Sequence, residues 1–516
     1  MTPTRRQALL GFLALLAPSA SEARVGGGGG YSGGGGGYSG GGGGYSGGGS
    51  SFSHSSSFSH SSSSSGSGGG SASPEAVIAM LIVGLPMFAA HAFIMFQGGG
   101  RRTRSTFSGG ARALPPVLQP NFSGTDTVPG GSQRYEALRR LDPNFSEALF
   151  IDFAQLLYAR VQELRGRGSL DPLKPYLPAK IQAALSKDIA GLDEVRDVIF
   201  GSTRVTEVAV GPVWVTITVH VDANVTERRG GQTDTWLCND HWTFRRKVGA
   251  VSPGPERMRA LVCAACGSSA EPRDDGTCPS CDQPRGGGVH QWELGKLTWK
   301  RDRLPGLSLS PGGGVEPGAE RPTLVSADLA ANLRALKATG FSVENFSDQA
   351  RAVFKRLQAA WGALDWAPTR ALQTDALYRV HQFWIDRYVR GGLRNHVEDI
   401  EIIAVRFAKI DVDAWTESIT VRIFAKMRDW TVNAEGDVLG GSAHDPRTFS
   451  EYWTFVRSAG APGARGPWDI NLCPSCGAPA DNINMAGVCG YCEAHITSGA
   501  FDWVLTRIEQ DEAYRG

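Results

Sequence analysis

The sequence contains no nucleophile motif, phosphate-binding glycine loop or metalloprotease helix, which argues against the common hydrolases and nucleotide-driven enzymes. It has no excess of one charge either: 52 Lys and Arg face 51 Asp and Glu, for a formal net charge of +1. A general grip on nucleic acid needs a basic face that displaces counterions, so this balance argues against one. Cysteine is scarce, nine in 516 residues, which excludes a short disulfide-dense secreted scaffold. Tryptophan is absent from the first 200 residues; all 13 lie beyond them. Glycine is abundant, with 67 residues, and most of the excess lies before residue 100. The length suits two to four domains.

The chain reads in successive stretches. Residues 1–23 look like a signal peptide: Arg5 and Arg6 precede the apolar run Ala8 to Ala17, and small residues close at Ala23. Residues 24–74 are Gly/Ser-rich, with Tyr31-Ser32, Tyr38-Ser39 and Tyr45-Ser46 spaced by seven. Such sequence buries too little apolar surface to offset chain entropy, which predicts a disordered spacer. His54 and His60 offer at most weak metal binding there. Residues 75–97 predict one transmembrane helix, since Ala76 to Phe96 carries no formal charge and at ~1.5 Å per residue spans the ~30 Å hydrocarbon core. Arg101, Arg102 and Arg104 follow, placing the later residues in the cytosol and the Gly-rich tract outside. Residues 98–132 and 304–325 read as linkers.

Between and after those linkers, 133–303 and 326–513 read as two copies of one module. Each has the tripeptide Asn-Phe-Ser, at 144–146 and 345–347, beside an amphipathic helix. Leu149, Phe153, Leu156, Leu157, Val161 and Leu164 recur at helical spacing in the first, and Phe346, Ala350, Val353, Phe354, Leu357 and Trp361 in the second. Asp142, Ser146, Ser342 and Ser347 are candidate caps. A second helical stretch follows in each, over 178–188 and 369–388. Alternating strands come next: Val213 to Val221, and Ile419, Val421 and Ile423 against Thr420, Arg422 and Phe424. A Trp-Thr-Phe strand then appears at 242–244 and 453–455, and a last strand at Trp292 and Trp503. Helices followed by a run of strands predict an α+β fold, with helices on one face of an antiparallel sheet.

Eight of the nine cysteines form four Cys-x-x-Cys pairs. Cys263, Cys266, Cys278 and Cys281 make one set (ribbon 263–281), and Cys473, Cys476, Cys489 and Cys492 the other (ribbon 473–492). Two such knuckles supply four thiolates to one tetrahedral ion, which predicts two structural Zn²⁺ sites; four-thiolate iron also fits the pattern. A closed four-sulfur site leaves no position for water, so it contributes folding energy rather than catalysis. Gly267 and Gly477 follow the second Cys of each first knuckle, where a turn needs positive φ. Each ribbon lies between two strands, as an elaborated hairpin tip. Cys238 aligns with Phe449 and reads as a core residue.

One constellation raises catalysis: His220, Asp222, Asp240 and His241 on neighbouring strands of the first module. The second module has Asp411, Asp413, Glu451 and Tyr452 in that region, so the set is not repeated. Arg245, Arg246 and Lys247 read as a solvated strand end.

Asp142-Pro143-Asn144-Phe145-Ser146 beside a helix, the Trp-Thr-Phe strand, and Phe501-Asp502-Trp503-Val504-Leu505 at the close resemble the Tim44-like domain. The resemblance covers about 133–303 and 326–513. It implies two tandem nuclear-transport-factor-two-like cones, with helices on a curved antiparallel sheet around an apolar pocket. It implies docking to membrane lipid or membrane proteins, or to a peptide in the sheet concavity, rather than turnover, and an inner-membrane protein of bacteria with cytoplasmic modules. Zinc ribbons and the amino-terminal region depart from the mitochondrial member, so a role in protein import does not carry over. The expectation is a non-catalytic membrane-anchored scaffold. The alternatives are an isomerase or dehydratase with a pocket in the first module, or a zinc-ribbon nucleic-acid-binding protein.

Overall fold

The computed structural model describes residues 119–304, 309, 312–462 and 468–516. The expected signal peptide, Gly/Ser tract and transmembrane helix lie outside these residues. Among the described residues, no helix is long and apolar enough to cross a membrane.

The described chain is mixed α+β, and its elements fall in two matching series. The first runs β1 (Thr125–Val128), α1 (Gly131–Leu141), α2 (Glu147–Gly166), α3 (Ala179–Ser186), β2 (Leu192–Val210), β3 (Trp214–Arg229), β4 (Gln232–Lys247), the short α4 (Pro255–Met258), β5 (Glu293–Thr298) and β6 (Arg301–Arg303). After β7 (Gly314–Val315) and β8 (Thr323–Ser326), the second runs α5 (Leu329–Ala338), α6 (Val343–Ala363), α7 (Asp375–Arg390), β9 (Arg394–Val412), β10 (Thr416–Val432), β11 (Val438–Ser458) and β12 (Val504–Gln510). Each series builds a five-stranded sheet, ordered β2-β3-β4-β5 with β6 on β4, and β9-β10-β11-β12 with β7 on β11. The long strands pair antiparallel, with register shifts along β2 and β9 that add twist and curl the sheets.

The inner faces follow the alternation. Val215, Ile217, Val219 and Val221 are buried, as are Ile419, Val421 and Ile423. Against them lie Trp242 and Phe244 in one sheet, and Trp453 and Phe455 in the other. Val213 is 50% exposed instead, because β3 begins one residue later and Val213 falls in the turn.

The helix register corrects the tripeptide alignment. Ser146 caps α2 by accepting from Leu149 N, and Ser342 caps α6 by accepting from Asn345 N. The helices therefore match with an offset of 196 residues, not the 201 that aligning the Asn-Phe-Ser tripeptides requires. In this register Phe150 matches Phe346. Phe150 sits 5.5 Å from Phe244 and 5.1 Å from Trp292, and Phe346 sits 5.3 Å from Phe455 and 5.4 Å from Trp503. Asp142 is no helix cap: its buried carboxylate accepts from Ser252 Oγ at 2.6 Å and pairs with Arg246 at 2.6 Å.

Helix α2 is buried well beyond one stripe, with Phe150, Ile151 and Tyr158 inside as well as the expected residues, while Leu156 is only half-buried. The first sheet covers Phe150 and Tyr158, through Phe244 and Trp242, and the second sheet borders Ile151. Ser146 Oγ lies 3.4 Å from Thr416 Oγ1, and Trp415 Nε1 donates to Asn144 O at 3.1 Å.

The two expected linkers carry structure. Strand β1 pairs with β8 in parallel, and β7 adds to the second sheet. These straps cover the outer face of β10. Phe122 packs edge-on against Phe424 at 5.3 Å, and Arg422 donates to the carbonyls of Gly318 and Arg321 at 2.9 and 2.8 Å. Thr420, Arg422 and Phe424 are thus buried along with the inner face, and β10 is not the half-buried strand its alternation predicts.

Candidate metal centres and the cleft beside the second ribbon

Each ribbon sits between two paired strands, after β4 and after β11. In each knuckle the residue after the second Cys turns back through positive φ and donates its N–H to the carbonyl of the first Cys: Gly267 to Cys263 at 2.7 Å, Asp282 to Cys278 at 2.9 Å, Gly477 to Cys473 at 2.8 Å and Glu493 to Cys489 at 2.9 Å. The glycines were legible in the sequence. Asp282 and Glu493, both at φ 58, were not: Asp visits the left-handed region only occasionally, and Glu gives no such signal.

The turns bring the sulfurs together. Cys263 Sγ lies 3.8 Å from Cys281 Sγ, and Cys266 Sγ 3.7 Å from Cys278 Sγ. In the second ribbon Cys473–Cys492 and Cys476–Cys489 are each 3.9 Å apart. Within each set all four lie within 4.8 Å of one another. A disulfide needs ~2.05 Å, so these are thiol pairs. A tetrahedron with ~2.3 Å metal–sulfur bonds has edges of about 3.8 Å, so each set could hold one metal ion. Backbone N–H groups favour thiolate at one cysteine of each set: that of Ser280 leads in lowering Cys278 to about 6, and that of Ala494 in lowering Cys492 to about 7. Burial instead pushes Cys473 up to about 12, and the Gln283 N–H is outweighed by neighbouring thiols, which raise Cys281 to about 12. In each set the first cysteine of each knuckle is buried and the second is exposed or half-buried.

Neither ribbon is a free tip. Tyr176 donates to Val262 O at 3.0 Å, and Arg257 donates to Ala264 O and Ala265 O at 2.8 Å. In the second ribbon Arg370 donates to Met485 O at 2.9 Å, and Thr497 donates to Asp375 at 2.8 Å. Burial would raise the Asp375 carboxyl, but His495, Arg370 and Thr497 outweigh it and hold the group at about 2.

The candidate catalytic set divides between the two faces of the first sheet. His220 and His241 oppose each other on the outer face, with ring centroids 4.6 Å apart. Asp222 lies beside them and accepts from Ser202 and Asn239 at 2.7 Å each. Asp240 points inward, accepting from Tyr158 at 2.8 Å, and burial pushes its carboxyl up to about 6. A sheet separates it from the histidines. In the second half Asp413 holds a turn through Trp415 N and Thr416 N, Asp411 pairs with Lys409 at 3.0 Å, and Glu451 accepts from Trp453 at 3.0 Å. Tyr452, opposite Arg422 as His241 is opposite His220, stacks on Tyr514 at 3.8 Å. Cys238 and Phe449 are both buried, opposite Ala223 and Ala425, as the core reading expected.

The basic run is not a solvated end. Arg246 is buried on Asp142, Arg245 pairs with Glu293 at 2.7 Å, and Lys247 lies 3.9 Å over the Trp214 ring. Other buried ion pairs escaped sequence reading because their partners are remote in the chain. Arg165 meets Glu227 at 3.2 Å, and Arg422 meets Asp511 at 2.8 Å.

The aromatic cores occupy the inner sheet faces where a concave pocket was expected. Open volume lies elsewhere. A cavity of about 1000 Å³ runs between β2 and α7, and Met485, Ala486 and Val488 of the second ribbon close one side.

Residues 329–471 match the family description "Tim44-like domain", as the sequence motifs led one to expect. The match spans α5 through β11 and stops short of the second cysteine set. No curated protein matches the chain. A solved structure titled "Ntf2 like protein involved in plasmid conjugation" aligns at 10% identity over 69% of this chain and 96% of its own, with a TM-score of 0.14. The Tim44-like family is generally non-catalytic, and a binding or scaffold role is the function it implies for this region.

Proposed function

We propose that the chain is a non-catalytic scaffold tethered to a bacterial inner membrane, with two tandem cone-shaped modules on the cytoplasmic side that dock partners at the membrane. Each module is stabilised by one structural Zn²⁺. Residues 1–23 act as the signal peptide and 75–97 as the span, and Arg101, Arg102 and Arg104 fix the orientation. Zinc rather than a polynuclear iron–sulfur cluster is favoured by sulfur spacing: thiolates of a multi-iron cluster sit on separate metal atoms and must spread wider than 4.8 Å.

The observation that carries the proposal is how the inner space is used. Aromatic side chains fill both sheet interiors, and Asp240, the one inward member of the candidate acid–histidine set, is separated by a sheet from His220, Asp222 and His241. Surface and cleft remain for binding. Photo-crosslinkers placed at Gln382 and His241 in cells, followed by mass spectrometry of captured proteins and lipids, test this. Capture of membrane proteins or lipid is expected. Binding and conversion of soluble metabolites alone would overturn it.

A further inference from the structure

The two sheets end in tips of the same build, one docked and one exposed. In the second sheet Asp413 N donates to Thr416 O at 3.0 Å, Ala459 N to Trp415 O at 2.8 Å and Ser458 N to Gly499 O at 2.8 Å. The first sheet repeats these bonds: Gly211 N to Trp214 O at 2.9 Å, Val248 N to Val213 O at 3.0 Å and Lys247 N to Gly288 O at 2.7 Å. Val213 therefore stands where Trp415 stands. Trp415 is engaged within the chain. Its Nε1 donates to Asn144 O at 3.1 Å, its ring lies 3.6 Å from where a Cβ on Gly254 would stand, and it packs on the first aromatic core. The first tip is open instead. Val210, Val213, Val248, Val251 and Val289 are each 36–50% exposed. The three segments that carry them, 209–213, 248–251 and 286–289, contain no charged residue. Single exposed valines are ordinary, but a joined, uncharged group of them marks a contact surface. Val248 and Val289 replace the smaller Ala459 and Ala500 of the second tip, so the apolar bulk of one Trp is spread over several valines.

The corner that receives Trp415 also has an uncovered counterpart. In the register set by the capping serines, Asn144 and Phe145 correspond to Gly340 and Phe341. The aromatic contacts agree. Phe145 lies 6.0 Å from Phe150 and 6.4 Å from Trp292, and Phe341 lies 5.7 Å from Phe346 and 6.1 Å from Trp503. Phe145 is buried, against Tyr135 and beside the docked Trp415, whereas Phe341 is half-buried and Gly340 is exposed. Apart from its chain neighbours, no atom lies within 4 Å of where a Cβ on Gly340 would stand.

We infer that the valine tip of one chain docks on the corner at Gly340 and Phe341 of a second copy, repeating between chains the contact that Trp415 makes within one. The internal contact runs from the tip of the second half to the corner of the first, so it uses two different surfaces and leaves one of each kind over. A heterologous contact of this sort is continued by the next copy, closing into a ring or extending as the rotation between copies dictates. Apolar burial of the valines and Phe341 drives the association. Neither the membrane span nor a docked partner is needed for it.

Sedimentation velocity on the full-length, metal-loaded chain in detergent tests this. The protein mass should exceed that of one chain and rise with concentration. Val213→Asp and Phe341→Asp should each leave single chains at the same concentrations. Mixed together, the two variants should regain a dimer and nothing longer, because Val213→Asp keeps its corner and Phe341→Asp keeps its tip. Val213 is 50% exposed, so the fold tolerates Asp there. Thr339→Arg, at the exposed position beside Gly340, takes the place of Phe341→Asp if that variant does not fold. Single chains of the unsubstituted protein at every concentration, association indifferent to both corner variants, or a mixture that stays monomeric would overturn the inference. Single chains that bind vesicles of anionic lipid and lose that binding in Val213→Asp would also overturn it, and would make the tip a membrane contact.

Discussion

The two sheets carry the same interior and opposite exteriors. Val219 faces Trp242 as Val421 faces Trp453, and the helix caps, core aromatics and cysteine knuckles match position for position. One residue along, on the outer face, His220 opposite His241 in the first sheet becomes Arg422 opposite Tyr452 in the second. His241 is exposed, whereas Arg422 and Tyr452 lie under the straps 121–128 and 314–326 and the C-terminal Tyr514. The interior must pack one helix on one sheet, which admits few substitutions. The exterior answers only to what covers it. In one half that is the chain's own strap; in the other, part of the surface borders the cleft.

Several variants sharpen this contrast. The largest effect belongs to the ribbons. Structural four-thiolate zinc is worth on the order of 10 kcal/mol at neutral pH, so Cys278→Ser and Cys489→Ser should each unfold their own ribbon. Each loss should stay within its own ribbon, because the two cysteine sets lie in separate hairpins, after β4 and after β11. Hydrogen exchange on the two variants checks this.

Arg422→Met comes next. It strands Asp511 without its cation and frees the carbonyls of Gly318 and Arg321, at a cost of about 3–5 kcal/mol. The matching His220→Ala loses one hydrogen bond to Asn239 and should cost about 1 kcal/mol or less. Urea melts of both variants separate the two exteriors.

The first sheet also carries a buried inward carboxylate. Burial lifts Asp240 to about 6, against an ordinary ~3.9. The folded chain therefore holds that proton more tightly than the unfolded one. The resulting stability is fully present below about pH 4 and is lost as pH rises through about 6. Asp240→Asn keeps an acceptor for Tyr158 and should flatten that slope, worth about 2–3 kcal/mol between pH 4 and 8. Smallest is Glu493→Gly, which relieves a left-handed Glu and should stabilise the second ribbon by about 1 kcal/mol, read as a higher melting temperature.

What was legible in the sequence was whatever repeats locally. Alternating valines, helical spacing, paired cysteines and the Trp-Thr-Phe strands all report contacts with a fixed short period. The helix register was misread because Asn345-Phe346-Ser347 lies inside α6 while Asn144-Phe145-Ser146 precedes α2; the capping serines, not the tripeptide, mark the equivalent turn. The straps were misread because proline and glycine are equally suited to a linker and to an extended segment held by a remote arginine. Arg246, Arg422 and Arg165 look like surface charges until their distant acids are known. The cleft joins β2 to α7 and a ribbon nearly 300 residues on, and no local pattern announces such a meeting.

Metal content tests the two four-cysteine centres most directly. Elemental analysis of the purified full-length chain should find two zinc ions per molecule, falling to one in Cys278→Ser and to one in Cys489→Ser. Iron in place of zinc, a metal-free chain that still folds, or loss of both ions from a single substitution would contradict it.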